Sequence, residues 1–377
     1  MTTTTPKSNA GLEGVVAAPS EICFIDGVAG RLVYRGYEIG DLVEQTTFEE
    51  VAYLLWNGEL PNAAQLAAVR REIGGQHAVP GYAMQILRAL PRGTEPMDAL
   101  RTVVSALGAT DPDLNNNTPE GNLRKAVRLT AQLPTVVAAF HRIRSDREVV
   151  EADPGLSVAG NFLLMLTGRR PNETLERVMD AALILHAEHG FNASTFAARV
   201  TAATLADMHA AVTAAIAALK GPLHGGANQE VMELLLQWRN ADEAEAKIRQ
   251  MLAEKKKVPG FGHRVYKTFD PRATFLRKMS RQLGEAAGNT TWYEMSERLI
   301  PVLKDEKNLN PNVDFFSASA YYAMGIPLDL FTPIFAIARV AGWSAHVMEQ
   351  HRNNRIIRPQ DHYLGPMDKK VVAIEQR

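Results

Sequence analysis

Apolar residues recur at three- and four-residue spacings along most of this chain, and that periodicity restricts it to a mainly helical fold. The segment Thr47-Phe-Glu-Glu50 shows the pattern at its clearest. Thr47 caps a helix, Glu50 reaches back to the cap, and Phe48, Val51, Ala52 and Leu55 then form one apolar face. Gly58 ends the run. Val231, Leu234, Leu235 and Trp238 repeat the stripe in a later helix. The alanine-rich stretch 196–219 reads as one strong helix former whose small side chains permit close packing. Only the start reads as β. Residues 21–25 and 31–34 are rich in β-branched and aromatic types and flank Asp26-Gly-Val-Ala-Gly30, which predicts a hairpin. Alternating strand–helix units are missing, so no parallel sheet is expected and the class is all-α. Residues 111–122, with two prolines and three consecutive asparagines, read as an exposed connector.

Composition narrows the function. A chain of 377 residues supports one large core or two domains. Its formal net charge of -1 offers no basic field to nucleic acid or an anionic membrane. Any anion site must therefore come from locally placed arginines. Cys23 is the only cysteine, which excludes a disulfide within the chain and fits a reducing cytoplasm. Its setting, Ile-Cys-Phe-Ile, suits a half-buried strand residue better than a nucleophile. No run of about 18 apolar residues suggests a membrane span. The opening Met-Thr-Thr-Thr-Thr-Pro-Lys-Ser lacks the apolar core of a signal peptide, and residues 1–18 read as a flexible tail.

Chemistry concentrates in three segments punctuated by Gly and Pro, which shape loops rather than helix interiors. The first is Gly-Pro-Leu-His-Gly-Gly-Ala-Asn from Gly221, the second Pro-Gly-Phe-Gly-His-Arg-Val-Tyr-Lys from Pro259 with Asp-Pro-Arg closing at Arg272. The third is Pro-Asn-Val-Asp ending at Asp314. Two histidines and an aspartate on separate loops, with arginines nearby, point to acid/base chemistry on an anion. His224 lies just before a new apolar stripe, so the positive end of that helix disfavours the imidazolium. A neutral imidazole donates one hydrogen bond to a carbonyl oxygen that is becoming an enol. Asp314 suits an N-cap, with Ser317 three residues on. Phe315 and Phe316 would also thin the water around its carboxylate and raise its basicity. Arg339 interrupts the apolar run of Phe335, Ile337 and Val340, and a charge on such a face needs a partner.

The three segments together resemble those of citrate synthases, and the likeness runs from Ile22 to Pro359. The resemblance implies a large helical domain, residues 19–224 and 324–377, and a smaller helical one, 225–323, that closes over the substrates. It implies condensation of acetyl-CoA with oxaloacetate and hydrolysis of citryl-CoA to citrate and CoA, the step that opens the tricarboxylic acid cycle. Asp314 would deprotonate the methyl group, His224 would hold the enol oxygen and His263 would polarise the ketone. Oxaloacetate would be bound by His189, in His186-Ala-Glu-His189, and by Arg272, Arg339 and Arg358. Planar guanidinium forks match its two carboxylates. Family members often carry an acidic residue after the second histidine, where this chain has Gly190. Lys257, Val258, Gly260, Gly262 and Lys267 would bind CoA, which is a substrate. No metal or redox cofactor is implied. Arg358 would complete the neighbouring site of a homodimer. Segments 136–140 and 156–166 are apolar enough to supply an interface above ~2,000 Å². Hexameric members inhibited by NADH carry a longer N-terminal region. This chain begins its hairpin by Glu21, so no strong NADH inhibition is expected.

Other readings have weaker support. His186-Ala-Glu-His189 could belong to a metal hydrolase, but the spacing is not that of zincins. Gly155-Leu-Ser-Val-Ala-Gly160 looks like a nucleophile elbow with its second glycine one place late, and the α/β sheet it requires is missing. A non-enzymatic helical scaffold would not need three such loops. Within the family, 2-methylcitrate synthases use propionyl-CoA. One extra methylene is worth only about 1–3 kcal/mol of discrimination, so the sequence separates the two poorly.

Overall fold

The computed structural model describes residues 10–377. The first nine residues of the expected 1–18 tail lie outside them. Within the rest, one 3-10 turn, Ala10–Leu12, precedes a largely exposed run. The hairpin forms as β1 (Cys23–Asp26) and β2 (Arg31–Tyr34), and β3 (Tyr37–Glu38) joins it in an antiparallel sheet. Cys23 pairs with Tyr34 and is partly buried, as its strand position implies.

Everything else regular is helical. The first eight helices are α1 (Ile39–Gln45), α2 (Phe48–Asn57), α3 (Ala63–Gly74), α4 (Gly81–Ala89), α5 (Pro96–Gly108), α6 (Pro119–Arg144), α7 (Val158–Thr167) and α8 (Glu173–His186). Then follow α9 (Ala193–Ala202), α10 (Met208–Leu219), α11 (Ala227–Leu235), α12 (Ala241–Ala253), α13 (Pro271–Ala286), α14 (Thr291–Lys307), α15 (Val313–Ala323) and α16 (Phe331–Arg352). The Thr47–Glu50 capping box is present, and Gly58 closes α2 in the left-handed conformation.

Several expectations need correction. The stretch 196–219 is two helices, because Leu205 takes a positive φ and Asp207 caps α10 through Ala210 N–H. The two halves pack on each other as a helical hairpin. Trp238 lies past the end of α11, though it is still buried. The connector 111–122 is anchored: Arg128 bonds Asp111 and Asp113 at 2.7 Å, and Arg124 bonds Asp113. Most side chains of segments 136–140 and 156–166 are buried in this chain's own core, with Leu156 and Leu164 partly exposed.

Helix α16 is the axis of the fold. Helices α2, α6, α8, α9 and α10 pack around it, and nearly all its side chains are buried. Leu328–Arg352 has the length and mean hydropathy of a membrane span, but its most apolar stretch of 18 residues is buried inside the protein. Helices α11 to α15 pack mainly on one another, with α13 against α15 and α12 against α14. They meet the rest through contacts of α11 with α16 and of α13 with α1 and α8. One apolar core runs through both groups.

Candidate active site

The candidate residues sit at helix starts, in the loops between helices and, for Arg339, inside a helix. His189 follows α8, His224 lies between α10 and α11, and His263 lies between α12 and α13. Arg272 and Asp314 each stand in the first turn of a helix, α13 and α15. Arg339 stands in the middle of α16. The ring of His189 is 5.2 Å from that of His263 and 5.5 Å from Tyr266. His224 faces Phe335 at 6.3 Å, and the Arg339 guanidinium stacks 4.6 Å from the same ring. Residues from topologically distant elements thus converge on one place.

Backbone hydrogen bonds fix the tautomers of His263 and His224. His263 Nδ1 accepts from the backbone N–H groups of Val265 (3.0 Å) and Tyr266 (3.1 Å). The ring proton therefore sits on Nε2, which is left as a donor. His224 Nε2 accepts from Ser194 N–H at 3.3 Å and lies 2.8 Å from the Ser194 hydroxyl. Its proton is then on Nδ1. Both rings stay neutral at physiological pH. Burial and then Arg339 push His224 down to about 4, while burial and then Arg272 push His263 down to about 4. His224 is neutral as expected, but through burial and Arg339 and not through the helix end. His189 is likewise held well below its ordinary value by burial and Arg272, and its Nε2 meets the Tyr266 hydroxyl at 3.2 Å. Gly190 has φ +59, a conformation that accounts for glycine at this position.

Asp314 is not an N-cap. Asn312 caps α15 through Asp314 N–H, which makes Asp314 the second helical residue. A helix N-terminus and Arg272 both favour the carboxylate, yet burial outweighs them and pushes Asp314 up to about 7. Phe315 and Phe316 are fully buried beside it. Its Oδ1 is enclosed, with no hydrogen-bond partner among the described residues. Such a carboxyl can take and release a proton near neutrality.

The arginines differ. Arg272 is locked bidentately to Asp270, at 3.0 Å from Nε to Oδ1 and 2.8 Å from Nη2 to Oδ2. Burial alone would raise Asp270, but Arg272 outweighs it and holds the carboxyl below its usual range. Arg339 donates Nε–H to the His186 carbonyl at 2.6 Å, its one hydrogen bond among the described residues. Its partner is thus a backbone oxygen and an aromatic face, and the terminal nitrogens are left for an anion. Arg358 is not brought to this place. It lies exposed beyond α16 and, among the described residues, bonds only the Pro359 carbonyl, at 3.2 Å.

The loop before α13 is held by glycines. Gly260 and Gly262 have φ +78 and +80, and a Cβ on Gly260 would meet Val231 Cγ2 at 2.6 Å and Phe315 at 2.9 Å. Gly262 N–H bonds the Asn310 carbonyl and Asn312 N–H the Gly260 carbonyl, each at 2.9 Å, so the second and third motifs pair. A cavity of about 340 Å³ opens beside them, lined by Gly262, His263, Tyr266, Lys267 and Asn310 among others. Lys257 and Lys267 are exposed, whereas Val258 is buried in the apolar core.

Sequence reasoning missed Ser194, Tyr266 and Asp270. Ser194 is buried in the first turn of α9, where its hydroxyl also receives the Trp343 indole N–H at 3.1 Å. No loop punctuation marks it. Asp270 was visible in Asp-Pro-Arg, and its role was readable as the counter-charge an enclosed arginine needs. His186 and His189 do not form a ligand pair: His186 Nδ1 bonds the Ala182 carbonyl at 2.7 Å, and His189 turns to Tyr266. Among the described residues, no group of three or more His, Cys, Asp or Glu side chains is arranged to hold a metal ion.

The chain is similar to known proteins over nearly its whole length. The profile of the citrate synthase C-terminal domain matches residues 11–360. Citrate synthase 2 of Bacillus subtilis is 48% identical over 368 residues, 97% of this chain and 98% of that protein. The 2-methylcitrate synthase of Shewanella oneidensis is 43% identical over 98% of both chains. The solved ternary complex of Thermoplasma acidophilum citrate synthase with carboxymethyl coenzyme A and oxaloacetate is similar with a TM-score of 0.93, at 31% identity over 99% of this chain and 100% of that one. A profile match over most of its length and relatives of this identity end to end make the chain a member of the citrate synthase family, enzymes of the acyltransferase type.

Proposed function

We propose that this enzyme condenses acetyl-CoA with oxaloacetate and hydrolyses the resulting citryl-CoA to citrate and CoA, admitting acetyl units to the tricarboxylic acid cycle in the cytoplasm. The observation that carries the catalytic assignment is the set of protonation states. A carboxyl near pKa 7 with an unpartnered buried oxygen stands with two neutral histidines of fixed, opposite tautomer. Asp314 removes the methyl proton. His224 donates Nδ1–H to the developing enol oxygen and stabilises the negative charge that builds there. His263 donates Nε2–H to the ketone oxygen of oxaloacetate, and the enol carbon attacks the polarised carbon. As the carbon–carbon bond forms, the C=O π pair moves onto the ketone oxygen, where the His263 Nε2–H stabilises the charge and supplies the proton of the new hydroxyl.

Oxaloacetate is held by His189, Arg272, Arg339 and Arg358 of a second copy of the chain. The exposure of Arg358 on its own subunit supports that last role. Residues 225–323 close over the bound substrates and exclude water. The CoA moiety lies along the 257–267 loop, with Lys257 and Lys267 at its phosphates and the glycines admitting close approach. Both substrates already carry the activated groups the reaction uses.

The likeness to a 2-methylcitrate synthase gives the second reading, with propionyl-CoA as the acyl donor. Comparing kcat/KM for the two thioesters on purified protein separates them. A preference for acetyl-CoA is expected, and a preference for propionyl-CoA would replace the first reading with the second.

A further inference from the structure

The N-terminal hairpin touches the loop that carries His263, and it does so backbone against backbone. Lys267 N–H donates to the Gly27 carbonyl at 2.8 Å. A Cβ on Gly27 would overlap the Val265 carbonyl oxygen and come within 2.9 Å of the Val265 carbonyl carbon. No flexible side chain could yield there, so this approach requires glycine. Three residues on, a Cβ on Gly30 would meet Thr268 Cγ2 at 2.8 Å and the Phe269 carbonyl at 3.1 Å. The turn itself is shaped by Asp26, whose Oδ1 accepts Val28 N–H at 2.9 Å and Ala29 N–H at 2.8 Å.

The backbone braced in this way is the part that fixes the His263 ring. Val265 and Tyr266 supply the two N–H groups on Nδ1, and Gly27 packs against the Val265 carbonyl and bonds the next residue, Lys267. Elsewhere the segment is held by side chains: Tyr266 is buried with its hydroxyl 3.2 Å from His189 Nε2, and Arg264 reaches Glu13 at 3.5 Å. Arg264, Val265 and Lys267 are themselves exposed, and the Gly27 contact is the one that bears directly on the Val265 and Lys267 backbone. Two N–H donors on one ring nitrogen demand a tight turn, which an exposed loop does not keep by itself.

We propose that the β1–β2 turn is a positioning element for His263, in which Asp26 shapes the turn and Gly27 braces the Val265–Lys267 backbone so that both N–H groups stay on Nδ1. The hairpin thereby selects the tautomer that leaves Nε2–H as the donor. This inference rests on the role given to His263 above, but its structural part is separable from that role.

The test uses the full-length protein and three variants, Gly27→Ala, Asp26→Ala and Asp26→Asn. Ring 15N shifts of histidine-labelled free protein, with the His263 signals assigned by their loss in His263→Asn, report the tautomer without any substrate. In the wild type the Nε2–H form is expected. In Gly27→Ala the signals move toward the Nδ1–H form or a mixture, and kcat falls about 10²-fold, the scale of an ångström-size misplacement. Asp26→Ala gives a smaller change in the same direction, and Asp26→Asn, which keeps the acceptor oxygen, restores the wild-type tautomer and rate. If Gly27→Ala does not fold, the Asp26 pair decides alone. An unchanged tautomer in the folded Gly27 and Asp26→Ala variants, whatever happens to their melting temperature, would overturn the brace. A shifted tautomer with undiminished turnover would keep the brace and overturn the catalytic role of His263.

Discussion

Asp314 and Asp180 are two carboxyls in different parts of the molecule that burial pushes up to about 7. Asp180 lies in α8 against the start of α2, where its Oδ1 accepts Phe48 N–H at 3.0 Å and its Oδ2 meets Arg177 at 3.1 Å. Its second neighbour is another carboxylate, Glu49, which raises it further after burial. Asp314 has no such satisfaction at Oδ1, and the charged groups that act on it include Arg272 and Arg339. A raised pKa therefore marks a dry place and does not by itself mark a catalyst. The difference lies in whether the proton-accepting atom is already used by the fold.

The sharpest way to break this contrast is to neutralise both positions. Asp314→Asn should lower kcat by about 10²–10⁴-fold, the usual worth of a general base, with a much smaller change in oxaloacetate binding by calorimetry. Near wild-type turnover would remove Asp314 from the mechanism. His224→Ala should cost about 10²–10³-fold in kcat, as the loss of an oxyanion-type donor does. Retained rate would leave the enol oxygen without its assigned partner.

A third experiment asks whether the Asp314 site is built from one chain. Arg358→Ala and Asp314→Ala, each inactive alone, are mixed after dissociation and reassociation. A mixed dimer has one site with both lesions and one with neither, so activity should return toward half of the wild-type value per mixed dimer. No recovery despite demonstrated subunit exchange would confine Arg358 to its own chain or to no site.

Asp180→Asn should have the smallest effect on rate, leaving kcat within about twofold while changing stability. Its folded pKa, about 7, lies above the ordinary 3.8. Between those values the native state holds a proton that the unfolded chain releases. The stability this contributes is complete below the unfolded value and lost as pH rises through the folded one. The Asn variant has no such loss, so chemical denaturation should show it gaining on wild type from pH 4 to 8. Asp314→Asn should gain in the same way, and only kcat should distinguish the two. A drop in kcat for Asp180→Asn would erase the contrast.

These two aspartates also show how far sequence carries. Asp314 was legible because Pro-Asn-Val-Asp is a local string at a helix start, although its N-cap reading was wrong by two residues. Asp180 stands inside an ordinary amphipathic helix and contacts Phe48 from 132 positions away, a pairing no local pattern encodes. The helical class was readable because period and caps are local, as at Thr47 and Glu50. The break at Leu205 was not, since alanine-rich sequence favours helix on both sides and only the Asp207 cap signalled a new start. Segments 136–140 and 158–166 were legible as apolar, but apolarity does not say whether the covering surface is another helix or another chain. Ser194 escaped because a serine in a helix's first turn looks like any other until the fold brings His224 to it.

The Trp343 indole has one use outside the chemistry. It is one of four tryptophans, it is fully enclosed, and its N–H ends on the Ser194 oxygen that also touches His224. Indole emission responds to the field along its ring and to the partner of its N–H. Trp343 is therefore an intrinsic optical probe wired to the His224 ring, and its fluorescence should register occupancy at that ring in real time, even in variants that no longer turn over.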